Sequence, residues 1–324
     1  MAERPTDLQR VVVTGGAGFI GANLARTLTA TPWVGDVLVI DDLSTGNLAN
    51  LDGLPVRFIE GSILDTDLLD EAFAGASAVV HLGAVPSVPR SVAEPLRSHE
   101  ANATGTVKVL DAARRAGAPH VVLASSSSVY GANPKLPKSE DMRAAPLSPY
   151  AVSKLATESY ALAYAACYGL EVLPFRFFNV FGPLQPPDHD YAAVVPAFIS
   201  AALSGRPLRV FGDGLQTRDF TYVDTVVNTI VDAIARRVTS DAPVNLAFGT
   251  RTTLLELIAE LESVLDRPLD VQHEPPRPGD VRDSQADNSR LRALFPDIAP
   301  VALREGLRRT ADWMARLGAP ASRS

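Results

Sequence analysis

Short runs of β-branched and aliphatic residues recur through the first half of the chain, at 11–14, 37–40, 56–59, 78–81 and 121–124, with amphipathic or turn-rich segments between them. Strands that alternate with helical patterns in this way predict an α/β fold built on a doubly wound parallel sheet with right-handed crossovers. Residues 19–29 carry Ile20, Leu24 and Leu28 at helical spacing, and residues 102–115 carry Val107, Leu110 and Ala113, so both fit crossover helices. A long helix is expected over 150–168, just after Pro149, and a further buried strand over 171–175. The Pro-rich stretch 182–190 marks a lobe boundary. Beyond it, 192–203 and 223–236 read as helices and 244–248 as a strand. Thr253-Leu-Leu-Glu256 is a capping box that opens a helix running to about residue 265, and residues 318–324 form a loose tail.

The length of 324 residues and the 46% hydrophobic content suffice for a full α/β core plus a smaller second lobe. A formal charge of −7 argues against a basic surface for nucleic acid, while leaving room for a local basic pocket for a phosphorylated substrate. The single cysteine, Cys167, excludes an internal disulfide and, in an Ala/Tyr-rich helical run, is expected to be a small core residue. No apolar stretch has membrane-spanning length and residues 1–10 are polar, so neither a membrane anchor nor a secretion signal is expected, and the cytoplasm is the expected compartment.

Thr14-Gly-Gly-Ala-Gly-Phe-Ile-Gly21 follows the first strand directly and opens the first helix, placing glycines at 15, 18 and 21. Gly15 permits a tight turn, Gly18 lets a pyrophosphate approach backbone N–H groups at the helix start, and Gly21 lets that helix pack closely on the sheet. In this context the run is a dinucleotide fingerprint. Asp41 ends the second strand, where its carboxylate can accept the hydroxyls of an adenosine ribose and repel a 2′-phosphate; NAD is therefore expected over NADP. Turn capping by Asp41 and Asp42 is the competing reading.

Ala124-Ser-Ser-Ser-Ser-Val-Tyr-Gly131 ends the fifth predicted strand, the edge at which open α/β sheets bind ligands. Downstream, Ser148-Pro-Tyr-Ala-Val-Ser-Lys154 sets Tyr150 and Lys154 at i and i+4, a phenol beside an ammonium on one helix face. A phenol near pKa 10 is a poor base at neutral pH, but a neighbouring ammonium and a positive nicotinamide ring both favour its phenolate. Tyr150 could then take a proton from a substrate hydroxyl as hydride leaves the same carbon, with a serine hydroxyl holding that oxygen and relaying its proton. A lone Tyr-x-x-x-Lys is common on ordinary helices. The fingerprint and the serine run, in this order, give it meaning.

With Asn102-x-x-Gly105-Thr106, Arg176-Phe-Phe-Asn-Val-Phe-Gly182, Gly212-Asp-Gly-x-x-x-Arg-Asp219 and Arg277-Pro-Gly-Asp280, these motifs resemble, over nearly the whole chain, those of UDP-hexose 4-epimerases in the extended short-chain dehydrogenase/reductase group. The resemblance implies a Rossmann-type NAD-binding domain over 1–178 that also receives part of 219–248, and a smaller mixed α/β UDP-sugar-binding lobe over 179–324. It implies Tyr150 as acid/base, Lys154 as its activator and a nicotinamide-ribose ligand, and Ser126 as the hydroxyl beside Tyr150. The cofactor would be lined by Gly15, Gly18, Phe19, Ile20 and Gly21, by Asp41, Asp42, Leu43, Ser44, Thr45 and Gly46, and by Ser62, Ile63, Leu82, Gly83, Ala84, Asn102 and Phe177. Ser62 is a departure, standing where the family often has an acidic adenine contact. The UDP-sugar would meet Ser87, Ser128, Asn179, Ala193, Val194, Phe211, Arg218, Arg277, Asp280 and Ser284. Two arginines suit a diphosphate, and Phe211 could cover the uracil.

The implied reaction is oxidation at C4 by tightly held NAD, turning over of the 4-keto sugar, and hydride return to the opposite face. Related dehydratases carry an acidic pair where this chain has Ser127 and Ser128, so no carboxylate is placed there to move the C5 and C6 protons. Ser284 stands where epimerases restricted to plain hexoses often carry tyrosine, leaving room for a 2-acetamido group, whereas Pro86 and Ser87 depart from the glycine and serine of the N-acetylhexosamine subgroup. Both UDP-glucose/UDP-galactose and their N-acetylated counterparts therefore stay open. UDP-glucuronate is the weaker alternative, because Leu184 and Pro186 occupy the turn where an arginine is usual and Arg90 is the only obvious local cation. Another nucleotide-sugar dehydratase or reductase, and a dinucleotide sensor that has lost its chemistry, complete the alternatives; such sensors typically break the Tyr/Lys pair, which is intact here. The five histidines show no ligand spacing, so no metal is expected. The resemblance implies a homodimer built on the helices around 102–116 and 150–168.

Overall fold

The computed structural model describes residues 7–117, 119–187, 193–276 and 282–318. Arg277 and Asp280, the end of the 182–190 loop, the first residue of the helix expected from 192 and nearly all of the tail lie outside the described residues.

The first half runs β1 (Gln9–Thr14), α1 (Phe19–Thr29), β2 (Val34–Asp41), β3 (Arg57–Glu60), α2 (Thr66–Phe73), β4 (Ala78–His81), α3 (Val88–Ala93), α4 (Pro95–His99), α5 (Gly105–Arg115), β5 (His120–Ser126), α6 (Pro149–Tyr168) and β6 (Val172–Phe177). The second half continues with β7 (Val180–Phe181), α7 (Val194–Leu203), β8 (Leu208–Phe211), β9 (Thr217–Arg218), β10 (Thr221–Tyr222), α8 (Val223–Arg236), β11 (Val244–Leu246), β12 (Thr252–Thr253), α9 (Leu254–Leu265), β13 (Val271–Glu274), α10 (Ser289–Leu294) and α11 (Leu303–Gly318).

Seven parallel strands form the main sheet in the order β11-β6-β5-β4-β1-β2-β3. Helices cover both of its faces, which is why Val11, Val12 and Val13 are all inaccessible to solvent. The order reverses at β1, and ligands of doubly wound sheets bind at such a switch point. β11 pairs with β6 although it lies late in the chain, and α8, just before it, packs on α1. Smaller ladders, β8 with β13, β9 with β12 and β7 with β10, build the remainder. One apolar core runs from Val13 and Leu24 through Phe181 and Tyr222 to Leu257 and Leu307, so the two halves share a hydrophobic interior.

Several element limits differ from expectation. The helix expected from 102 starts its regular course at Gly105; Glu100–Thr104 form a wider π-helical turn that joins it to α4. β6 extends two residues further, and the strand expected over 244–248 stops at Leu246. The capping box is present, with Glu256 N bonded to Thr253 Oγ1 and Thr253 N to the Glu256 carboxylate.

Cys167 is exposed rather than in the core. The inward face of α6 is set by Ala151, Lys154, Glu158 and Ala161, and helical periodicity puts Cys167 on nearly the opposite side of the helix. No helix among the described residues is long and apolar enough to cross a membrane. In the native protein Cys167 should react with a chromogenic disulfide reagent nearly as fast as in denaturant; slow native reaction would contradict its placement.

Candidate active site

The glycine turn and the end of β4 are pressed together. Gly15 has φ +70°, and a Cβ there would lie 2.6 Å from the Gly83 nitrogen, while Leu82 N donates to Thr14 O at 3.0 Å. At Gly21 a Cβ would come within 2.2 Å of the Gly15 carbonyl, whereas at Gly18 its nearest neighbour would be that carbonyl at 3.3 Å. No side chain caps the start of α1 and no acidic residue occupies its first turn, so the helix end is left for an anion. Phe19 and Ile20 begin the helix half-buried. These features fit a dinucleotide pyrophosphate.

Asp41 works as a turn cap: Oδ2 accepts from Ala17 N and Oδ1 from Leu43 N, each at 2.9 Å. Burial raises its pKa and the backbone donors partly oppose that. Each oxygen retains lone-pair capacity, so capping and ribose recognition are compatible. The loop continues through Leu43 at φ +56°, Ser44, whose N–H bonds Asp42 Oδ1, Thr45 and Gly46, where a Cβ would collide with Asp41. Ser62 accepts from Leu64 N within its own turn, and the Ile63 side chain packs at Gly83 and Gly105. Asn102 is committed to the protein: Oδ1 accepts from Val85 N at 2.7 Å, and Nδ2 donates to Val85 O and to Ser153 Oγ. It ties the loop carrying Leu82, Gly83 and Ala84 to α6. Ser87 caps α3 by accepting from Arg90 N.

At the end of β5 the predicted reactive groups meet. The Tyr150 phenol faces the Ser126 hydroxyl; burial raises its pKa and the interaction with Ser126 lowers it. Ser128 Oγ lies 2.9 Å from Ser126 Oγ, which also accepts from Ser128 N, so the hydroxyls run in series from Ser128 through Ser126 to Tyr150. Lys154 is buried and donates to Ala124 O at 2.9 Å, with its pKa lowered to about 8 by desolvation. Behind it lies His81, bonded to Thr14 Oγ1 at 2.8 Å and Thr106 Oγ1 at 3.1 Å. Thr106 commits its proton to Asn102 O, so His81 Nε2 carries the hydrogen and Nδ1 accepts from Thr14. Burial and the Lys154 charge push this imidazole down to about 3, which keeps it neutral.

Phe177 is the register partner of Ser126, so Asn179 follows two residues beyond the serine turn's neighbour. Asn179, at φ +21°, donates to Asp219 O; buried Asp219 in turn accepts from Gly249 N, Thr250 Oγ1 and Ala286 N. Beside it, Arg218 donates to Thr217 O and Arg282 O, and Ser284 N donates to Thr217 O. Asn179, Arg218 and Ser284 are thus tied to the backbone of the 217–219 segment that carries the buried Asp219 carboxylate. Phe211 ends β8 under the Arg209 guanidinium, 5.6 Å away, and Ala193 and Val194 begin α7 without a side-chain cap.

The model of the NAD dependent epimerase/dehydratase family matches residues 11–247. The chain belongs to that family. A UDP-glucose 4-epimerase of Mycolicibacterium smegmatis is 39% identical over 310 residues, 94% of this chain and 98% of its own. The UDP-N-acetylglucosamine 4-epimerase of Methanobrevibacter ruminantium, solved with UDP-N-acetylmuramic acid, superposes with a TM-score of 0.90 at 36% identity, covering 96% of this chain and all of its own. The UDP-glucose 4-epimerase of Thermotoga maritima, solved with UDP-glucose, gives 0.89 at 33% identity, covering 95% and 99%. This member of the NAD-dependent epimerase/dehydratase family is accordingly an enzyme with NAD as its cofactor.

Four side chains that shape the family member's site were not singled out as site residues from the sequence: His81, Glu158, Arg176 and Asp219. Glu158 carried a signal, since it continues the i, i+4 series of Tyr150 and Lys154. Because Lys154 is lowered from 10.5 to about 8 in the fold, the unfolded chain binds more protons between those pH values, and this group adds stability as pH rises through that window. At pH 7 the buried ammonium therefore opposes folding. Lys154→Met should raise the melting temperature of the cofactor-free protein at pH 7, with the gain shrinking toward pH 10; a lower melting temperature at pH 7 would contradict this.

Proposed function

We propose that the enzyme inverts the C4 hydroxyl of a UDP-hexose, acting on UDP-glucose/UDP-galactose, on UDP-N-acetylglucosamine/UDP-N-acetylgalactosamine, or on both. The observation that carries the reading is the series Ser128, Ser126, Tyr150 beside the buried ammonium of Lys154, with serines at 127 and 128 where a dehydratase would need carboxylates. Residues 1–178, together with the late strand and helix that rejoin the main sheet, would bind NAD through the glycine turn and Asp41. Residues 179–324 would hold the UDP-sugar through Asn179, Ala193, Val194, Phe211, Arg218, Arg277, Asp280 and Ser284. Bound NAD supplies the acceptor and later the donor of hydride.

Tyr150, as phenolate, takes the proton of the C4 hydroxyl, and the Lys154 ammonium stabilises the charge this requires. Ser126 holds the same oxygen, and Ser128 extends the chain along which its proton is shared. After the 4-keto sugar has turned over, Tyr150 returns the proton to the new alkoxide. Arginine contacts to the diphosphate keep the nucleotide anchored while the sugar turns. Ser284 leaves space beside the sugar for an acetamido group. UDP-glucuronate remains the second reading, with Arg90, exposed on α3 close to Ser87, as its candidate cation.

Proton NMR of the protein with UDP-N-acetylglucosamine, UDP-glucose and UDP-glucuronate in separate tubes tests this directly. The galacto product should appear from one or both of the first two, without net NADH, and Tyr150→Phe should slow it by about 10²–10⁴-fold. Product from none of the three would sink the reading and favour a dinucleotide sensor, whereas loss of water or accumulation of NADH would point to a dehydratase or reductase.

We further propose a homodimer. Val92 and Leu96 are exposed on α3 and α4, which pack on α6, and α6 itself exposes Val152 and Tyr160, apolar surface of the kind that a partner subunit covers. Light scattering should give twice the chain mass, and Leu96→Glu with Val152→Glu should give a monomer; a monomeric native protein would reject the assignment.

A further inference from the structure

Tyr150, Lys154 and Glu158 stand at successive fourth positions on the inward face of α6, and Glu158 never reaches the cleft. Its side chain is 3% exposed and that of its partner, Arg176 on β6, is 4% exposed. The guanidinium grips the carboxylate with two bonds, Nε to Oε2 at 3.0 Å and Nη2 to Oε1 at 2.5 Å. Two further contacts lead from this pair to the serine turn. Ser125 Oγ lies 2.7 Å from Glu158 Oε2 and 3.2 Å from Lys154 O, and Arg176 lies over the Tyr130 ring, 4.7 Å from its centre. Tyr130 is itself fixed at its far end: its hydroxyl donates to Asn245 Oδ1 at 2.6 Å, and Asn245 Nδ2 donates to Lys138 O and Asp287 O.

Ser125 and Tyr130 bracket Ser126 and Ser128. The turn that presents the reacting hydroxyls is therefore held at both ends by groups engaged with one buried ion pair. Such pairs are weak evidence for stability, since apolar side chains of similar volume often serve packing as well or better. What a bidentate pair adds is direction: it fixes how far α6 is displaced along β5 and β6, and hence where Ser126 lies relative to the phenol.

We infer that Glu158 and Arg176 are positioning residues that set Ser126 and Ser128 in register with Tyr150 and Lys154. The inference deepens the epimerase reading and rests on it for its kinetic consequence alone. The carboxylate and guanidinium touch no reacting atom and exchange no proton with substrate; they act through Ser125 and Tyr130.

The test replaces the pair by apolar groups of similar length, Glu158→Leu with Arg176→Met, in the full chain. Melting temperature and NAD affinity report on the fold. Tyr150 is read without any sugar, as the difference in phenolate absorbance between each protein and its Tyr150→Phe counterpart during a pH titration. The groups facing this phenol are the Ser126 hydroxyl and, one helical turn on, the Lys154 ammonium, backed by neutral His81. The double variant should fold and bind NAD within about twofold of native. Its Tyr150 should titrate at higher pH, because a displaced Ser126 hydroxyl no longer stabilises the phenolate, and kcat should fall about 10- to 100-fold with KM nearly unchanged. A double variant that folds with native Tyr150 titration would overturn the inference. If it does not fold, Ser125→Ala removes one of the two attachments while leaving the pair intact; it should move the Tyr150 titration in the same direction, and no movement overturns the inference. Inactivity of the native enzyme on every UDP-sugar would sink the epimerase reading, while the titration would still decide the positioning role.

Discussion

A buried ammonium must be held by something, and Lys154 is held by the carbonyl of Ala124 at the end of β5, with no carboxylate paired to it among the described residues. An uncompensated positive charge in a low-dielectric site is expensive, and burial accordingly lowers its pKa to about 8. The surroundings are arranged around it. His81, packed behind with its two nitrogens bonded to Thr14 and Thr106, stays neutral because burial disfavours its charged form and the Lys154 charge would repel a second cation. Asn102, Ser153 and Thr157 complete a network that binds α6 to the preceding π-helical turn and to the loop after β4. Charge that opposes folding is thus retained where a phenolate would need it, the usual relation between a strained site and the scaffold that supports it.

The same network explains how one helix serves both sides of the chemistry. The first turn of α6 offers Tyr150 toward the cleft, the second carries Lys154 into the sheet edge, and the third buries Glu158 against Arg176. Side chains placed on consecutive turns of a packed helix move as a unit, so the separation of phenol and ammonium is fixed by helical geometry and not by loop conformation. The serine hydroxyls, on a turn, lack that rigidity and are held from behind. Across the switch point, the glycine turn approaches Gly83 so closely that no side chain fits at residue 15. The groove for the dinucleotide is therefore shaped by missing atoms as much as by those present.

The second lobe is joined to this edge by backbone. Ser126 and Phe177 are register partners in adjacent strands, and the chain leaving Phe177 turns through Asn179, which donates to the backbone carbonyl of Asp219. Asp219 gathers the segments at 217–222, 249–250 and 284–287 through three donors, which is how a polar group survives full burial. Displacing any of these segments would leave donors or acceptors unmatched, so the loops around Arg218 and Ser284 share one geometry.

Local pattern alone determined the parallel sheet, its crossover helices, the glycine turn, and the pairing of Tyr150 with Lys154, because strand periodicity, glycine geometry and i, i+4 spacing are properties of neighbouring residues. Pattern failed at Cys167, where composition suggested burial but helical phase turned the thiol outward, and it could not show that the Asn102 amide bonds Val85 and Ser153. Only the tertiary structure could show that Glu158 meets Arg176, that His81 is flanked by Thr14 and Thr106, or that Asp219 collects two distant segments, since these partners come from different strands and loops. Such contacts depend on which faces the folded sheet brings together, and no spacing along the chain encodes the direction in which a buried side chain will find its partner.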